Sequence, residues 1–436
     1  MLFDEKHVTH CVPAKRPLRR IAMLSDHASP LAAPGGIDCG GQNVYVAHLS
    51  RELAAAGYEI DIFTRRDSIA QKQVVQWRDN IRVIHVPAGP AHYIPKETML
   101  PYIETFARFV TRFARRQTVS YDIMHANFFM SGMVAEHVRQ VLGIPFVITF
   151  HALGKVRRMA QGAADTFPPA RLRIEDALMR SADRIIAECP QDRQDMEQLY
   201  GAQSSRIDIA PCGFDPQELW PVPARLARQK LGLPADKFIV LQLGRLVPRK
   251  GIDTVIQAVA LLRSQHGVDA ELLVVGGESN ASGTHDTPEL SRLRALGAQL
   301  GISKHIRFTG RTERAELRYY YGAADVFVTT PWYEPFGITP VEAMACSRPV
   351  IGAEVGGIQS TVVNHTTGYL VPSRDPGAVA DRLALLHADP VLARAMGDEG
   401  MRRAFRHYTW QSVAHKAAQI YAAALGQAAV SSHMVR

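Results

Sequence analysis

Glu334 and Glu342 bracket the seven residues Pro-Phe-Gly-Ile-Thr-Pro-Val, just after a strand-like run at 326–329 and a Trp-Tyr pair. Gly337 allows a tight turn, and residues 338–346 have helical character. The free N–H groups of a helix start would then face an anion, with Phe336, Gly337 and Ile338 beside it. Glu342, about one turn in, can accept hydrogen bonds from hydroxyls. A lone glutamate is more often a cap or a solvated surface group. Two at this spacing around Pro-Phe-Gly point instead to a sugar nucleotide.

A second cluster, Gly244-Arg-Leu-Val-Pro-Arg-Lys-Gly251, follows an apolar run at 238–243. In open parallel sheets ligands bind beyond the carboxyl ends of the strands, so Arg245 and Lys250 are expected to face a diphosphate. Charge collects on a diphosphate as it leaves, and fixed cations there stabilise the transition state more than the ground state. A third feature is the glycine loop from Gly35 to Asn43, in which Gly41 leads into a helix and lets backbone approach a ligand closely. It lacks the G-x-G-x-x-G spacing of a dinucleotide site, which counts against a nicotinamide-dependent oxidoreductase, the competing class for a chain of this pattern. His151 follows the apolar run 146–150, where active-site residues gather. No two aspartates stand two residues apart, so a D-x-D metal-diphosphate site is not expected, and neither a metal nor a cofactor is called for. Arg245 and Lys250 can take the metal's electrostatic part.

These groups need a frame. Short apolar runs at 21–25, 59–64, 81–86, 122–125, 146–150, 184–187 and 207–210 alternate with helical stretches, and the pattern restarts at 238–243, 271–275, 306–309, 326–329 and 350–352. Such alternation predicts an α/β fold of two doubly wound, Rossmann-like domains. The expected division is a basic tail at 1–20, an acceptor domain at 21–215, a nucleotide-sugar domain at 216–407, and a final helix and tail at 408–436 that returns to the first domain. The proline-rich stretch from Pro211 to Pro234 marks the boundary.

At 436 residues, the length suits two cores of about 200 residues each. With 47% apolar and 21% charged residues, the composition is that of a globular protein rather than a disordered or fibrous one. No run approaches the ~18 apolar residues of a membrane span, and the first twenty residues lack the apolar stretch of a signal peptide, so a cytoplasmic enzyme is expected. The five scattered cysteines show neither zinc nor disulfide spacing. Fifty basic against 42 acidic residues, a net charge of +8, favours an anionic partner and allows peripheral contact with an acidic membrane surface; nucleic acid is not expected, and a homodimer is left open. Lys15, Arg16, Arg19 and Arg20 read as a solvated tail ahead of the first strand.

Taken together, the chain resembles glycosyltransferase family 4, the retaining group with the GT-B fold, from Ile21 to about Leu425. The glutamate pair and the Gly-Arg-Leu…Lys-Gly element carry the resemblance, with Gly356-Gly357 matching a further family turn. It implies that Glu334 lies against the donor hexose, Glu342 takes the ribose hydroxyls, Arg245 and Lys250 bind the diphosphate, and His151 approaches the reaction centre. It also implies front-face retention, with no protein nucleophile. The N-terminal half is similar to the family's inositol-phosphate N-acetylglucosaminyltransferases and sucrose-phosphate synthases through Ser29-Pro30, Gly40-Gly-Gln-Asn-Val-Tyr45, Ala88-Gly-Pro90, Lys96-Glu97 and Arg173-Ile-Glu175. Lys96 and Arg173 then fall where an acceptor phosphate is held, with Asn43 and Phe128 beside it. Phe128 and Ala152 stand where hydroxyls help hold that phosphate, Asn127 where relatives often carry histidine, and Ser347-Arg348 where a small residue and glycine precede proline. The expected reaction is hexosyl transfer from a nucleotide sugar, UDP-linked by preference, to a hydroxyl of a small sugar or polyol phosphate or a glycan. A lipid-linked acceptor is the rival within the class, and sugar-nucleotide binding without turnover a third reading.

Overall fold

The computed structural model describes residues 20–32, 40–277 and 287–426. The first half builds an eight-stranded sheet from β1 (Arg20–Leu24), β2 (Glu59–Arg65), β3 (Val74–Arg78), β4 (Ile81–Val86), β5 (Ile123–Asn127), β6 (Phe146–Thr149), β7 (Arg184–Ala187) and β8 (Ile207–Ile209). Their order is β3-β4-β2-β1-β5-β6-β7-β8, parallel except for the β3–β4 pair. The second half builds a six-stranded sheet from β9 (Phe238–Leu243), β10 (Ala270–Val275), β11 (Ile306–Phe308), β12 (Val326–Thr329), β13 (Val350–Ala353) and β14 (Gly368–Val371), in the order β11-β10-β9-β12-β13-β14 and parallel throughout. Both are α/β sheets with helices between most successive strands, as the alternating apolar runs predict.

Each sheet reverses its winding once, between β1 and β5 in the first and between β9 and β12 in the second. A crevice opens beyond the carboxyl ends of the strands at such a switch point. The groups with chemistry follow those ends: Phe128 after β5, His151 after β6, Arg245 after β9 and Glu334 after β12.

The strands are apolar because both faces are covered. One hydrophobic cluster runs from Ile21, Leu49 and Ile62 through Phe214, Trp410 and Tyr421 to Leu241, Phe336 and Met344, joining the inner faces of both halves. The helix Trp410–Ala424 packs on Gly41–Ala55: Trp410 stacks on His48 at 5.4 Å, and Tyr421 OH lies 2.7 Å from His125 Nδ1. The two connecting segments also touch, Phe214 N donating to Tyr408 O and Trp410 N to Phe214 O.

Several expectations need correction. Arg20 is not tail but the first residue of β1, 8% exposed, its guanidinium 3.1 Å from buried Asp61; a charge paired this way is tolerated inside. Strands β3 and β14 went unseen. The first is an exposed edge carrying Gln, Trp and Arg, and the second is four residues after Thr366-Thr367. Lys15, Arg16, Arg19, Gly35, Gly36, Cys11 and Cys39 lie outside the described residues; Cys189, Cys212 and Cys346 are free and buried.

Candidate active site between the two sheets

A cleft of about 700 Å³ lies between the halves. Gly41, Asn43, Lys96, Phe128 and His151 line one wall; Arg245, Lys250, Glu334, Phe336, Gly337, Ile338 and Glu342 line the other.

The second wall is built from two loops locked together. Thr330 Oγ1 donates to Gly251 O at 2.7 Å and Trp332 N to Arg249 O at 2.8 Å, so the basic loop after β9 rides on the loop after β12. Gly251 must be glycine: its φ is +65°, and a Cβ would sit 1.9 Å from Thr330 O. Lys250 Nζ forms an ion pair with the Glu334 carboxylate. Burial lowers the Lys250 pKa although Glu334 opposes it. Burial alone would raise that of Glu334, but Lys250, Arg249 and Arg245 outweigh it and hold the carboxyl below its ordinary range. Arg249 also lines the cleft, with Nη1 buried and lacking a hydrogen-bond partner. A buried donor of this kind, facing the cleft, is available to a ligand acceptor.

Gly337, at φ +90°, caps the helix Ile338–Ala345, whose N-terminus opens into the cleft. Opposite is a second helix start: Gly40 caps Gly41–Ala55, and a Cβ on Gly41 would lie 3.5 Å from Ile338 Cδ1. Two helix N-termini thus face one another, an arrangement that favours anions. The Gly356-Gly357 turn supports it from behind, Gly357 N donating to Glu334 O at 3.0 Å.

On the first wall, two bulky residues sit at positive φ, Phe128 at +83° and His151 at +58°. Backbone strain of this kind, about 1–3 kcal/mol each, persists where the fold holds a side chain for a purpose. His151 Nδ1 is 2.9 Å from Glu188 Oε1, and its Nε2 is 3.0 Å from Asn127 Oδ1. Asn127 Nδ2 donates to Leu24 O, which fixes the direction of its amide.

Two acceptor-side expectations change. Arg173 is exposed on the helix Ala170–Ser181 and does not line the cleft. Arg171 does, at 1% exposure. Its Nε donates to Glu175 Oε1 at 2.7 Å and its Nη2 to Ala152 O at 2.5 Å, while Phe128, Phe129 and Phe167 surround the guanidinium at 4.4–5.0 Å. Nη1 is buried with no partner. Asn43 is in the wall, but its Oδ1 accepts from Gly40 N and its Nδ2 donates to Ser29 O, so it caps the helix. Lys96 lies near Glu97, Nζ to Oε1 3.7 Å. Arg171, Glu188, Arg249 and Arg314 also line the cleft, and sequence reasoning did not single them out.

Among the described residues, His48, Asp215 and Glu218 come near enough to hold a metal ion. Arg51 already faces both carboxylates, and Arg314 donates to Glu218. His48 is neutral, its pKa lowered to about 3 by burial and by Arg314, Arg51 and Arg78.

Family models match both halves: "Glycosyltransferase Family 4" over residues 39–218 and "Glycosyl transferases group 1" over residues 224–403. The D-inositol 3-phosphate glycosyltransferase 2 of Catenulispora acidiphila is 36% identical over 405 residues, 92% of this chain and 94% of the relative. The chain belongs to glycosyltransferase family 4. Further support for this family 4 glycosyltransferase comes from the D-inositol 3-phosphate glycosyltransferase of Xylanimonas cellulosilytica, 37% identical across 93% of this chain and 97% of its own. The sucrose-phosphate synthase of Thermosynechococcus elongatus matches its structure with a TM-score of 0.86 at 34% identity, over 94% of this chain and 99% of the other. Its two facing sheets are the GT-B fold. Anabaena HepE in complex with UDP-glucose shares that fold at a TM-score of 0.73 and 20% identity, covering 93% of this chain and 99% of that one. Among the described residues no helix is long and apolar enough to cross a membrane.

Proposed function

We propose that this glycosyltransferase moves a hexosyl group, with retention and without a metal, from a UDP-sugar to a hydroxyl of a small phosphorylated sugar or polyol. The observation that carries the reading is the division of cationic groups between the walls. Arg245, Arg249, Lys250 and a helix start gather on one, a size suited to a diphosphate, while Arg171 holds a bare buried Nη1 on the other. Relatives named for inositol 3-phosphate and for sucrose phosphate agree with a phosphorylated acceptor, and HepE with UDP-glucose agrees with the base.

In this reading Glu342 accepts from the ribose and Glu334 from the hexose, while Arg245, Arg249 and Lys250 meet the phosphates. Arg171 and Lys96 hold the acceptor's phosphate and aim its hydroxyl at the anomeric carbon. The bond from that carbon to the phosphate oxygen breaks as the bond to the acceptor oxygen forms on the same face. The hydroxyl proton passes to the leaving phosphate oxygen, and UDP departs. The three cations stabilise the charge that develops there. His151, clamped by Glu188 and Asn127, borders the reacting centre.

Thermal shifts with UDP, GDP, ADP, NAD and UDP-sugars, on wild type and Lys250→Ala, test this. UDP and its sugars are expected to stabilise the wild type, and Lys250→Ala to lose about 10- to 100-fold in affinity, the worth of a charge-assisted hydrogen bond. A shift with NAD alone, or with no nucleotide, would refute it.

A further inference from the structure

Glu342 is 2% exposed, and both its oxygens are engaged. Tyr321 OH donates to Oε2 at 2.9 Å, and Arg314 Nη2 stands 3.0 Å from Oε1. Nη2 carries two N–H groups; Glu342 is the carboxylate it pairs with, and among the described residues the buried Nη2 has no other acceptor. Arg314 opens the short turn Arg314–Glu316 and projects into the cleft. Its other arm is anchored, Nε donating to Glu218 Oε2 at 2.5 Å. Glu218 belongs to the connection between the sheets and also faces Arg51 and His48 at 3.8 Å. Those two sit on Gly41–Ala55, the helix whose first residues form the opposite wall.

A vicinal diol offers two hydroxyls, each able to donate and to accept. A carboxylate alone satisfies only the donating half. The second N–H of Nη2, buried and without a further acceptor, supplies the other half, and the guanidinium charge compensates a carboxylate that would be costly to bury alone. We propose that Arg314 is a ribose-binding residue: Nη2 donates to a ribose hydroxyl oxygen while Glu342 accepts from the diol, and Glu218 fixes the guanidinium that does so. The proposal rests on the reading that Glu342 receives the ribose.

The test is calorimetric titration of the full chain with UDP and with 2′,3′-dideoxyuridine diphosphate. Wild type is expected to prefer UDP by about 10- to 100-fold, Arg314→Gln to lower that preference below about threefold by weakening UDP alone, and Glu218→Gln to lower it part of the way. A purely structural arginine predicts equal losses for both nucleotides; that result, or a preference unchanged in Arg314→Gln, overturns the proposal. Glu342→Gln separates the two claims. If it keeps the wild-type preference, the ribose reading of Glu342 fails; if it abolishes the preference while Arg314→Gln keeps it, only the arginine's role fails. Should Arg314→Gln not fold, Arg314→Lys is read in the same titrations. Lysine lacks the fork that reaches both Glu218 and the diol, so the preference is expected to fall, and an unchanged one overturns the proposal.

Discussion

Lys250 carries a consequence for pH. Its ammonium is lowered below the ordinary lysine value chiefly by burial, against the pull of Glu334, so it gives up its proton at a lower pH than an exposed lysine. In the proposed donor site, binding of the diphosphate needs the charged form. Affinity for UDP is therefore expected to fall on the alkaline side, by about tenfold per pH unit beyond that pKa. Lys250→Arg keeps its charge throughout and is expected to flatten the alkaline limb; titration calorimetry across that range checks it, and an equal limb in the variant would assign the loss to another group. Lys250, Arg245 and the two glutamates were legible because they crowd into short segments at strand ends. Arg171, Arg249 and Arg314 were not, since each is one arginine among many until folding shows which is buried. The Arg173 expectation missed by two residues, which on a helix is about 200° of rotation and sends the side chain to the outer face. The i,i+4 pairing of Arg171 with Glu175 was the signal for which of the two arginines turns inward.

The loops behind the cleft are as constrained as the residues they present. Gly356 has φ +47°, and a Cβ there would fall 1.9 Å from Glu334 O. Gly143 also has positive φ, +71°, but nothing lies within 4 Å of its Cβ position. Alanine at Gly143 is expected to cost only the backbone term, about 1–2 kcal/mol, with UDP affinity unchanged. Alanine at Gly356 must also push Glu334 aside, so about 2–4 kcal/mol and a loss of donor affinity are expected. Urea unfolding and UDP titration of the pair check this, and equal behaviour of the two variants would contradict it. From sequence, Gly356-Gly357 was recognisable as a turn near the donor, but its grip on the Glu334 carbonyl was not. Strands that form long apolar runs, such as β9, were readable, whereas the polar edge strand β3 and the short, buried edge strand β14 after Thr366-Thr367 were not.

Among the described residues, the two halves meet through several contacts far apart in the chain. Gln161 Nε2 donates to Tyr333 OH at 2.9 Å and Cys189 Sγ to Pro335 O at 3.3 Å across the cleft, the Glu218–Arg314 pair joins them at its floor, and the helix Trp410–Ala424 spans them behind. None of these contacts has a local sequence signature, because each depends on segments more than ninety residues apart or on a helix whose apolar face serves two cores. What the alternating strands did convey was that two switch-point crevices exist; that they face one another follows from the connections. The reaction belongs to that assembled cleft, since neither wall alone brings donor and acceptor together. The most direct measurement is therefore the product itself, followed by NMR during incubation of the protein with α-linked UDP-hexoses and small sugar or polyol phosphates. Release of UDP with a new α-glycosidic linkage on the phosphorylated acceptor is the expected result; a β-linkage would contradict retention, and transfer only to unphosphorylated or lipid-linked acceptors would contradict the place given to Arg171.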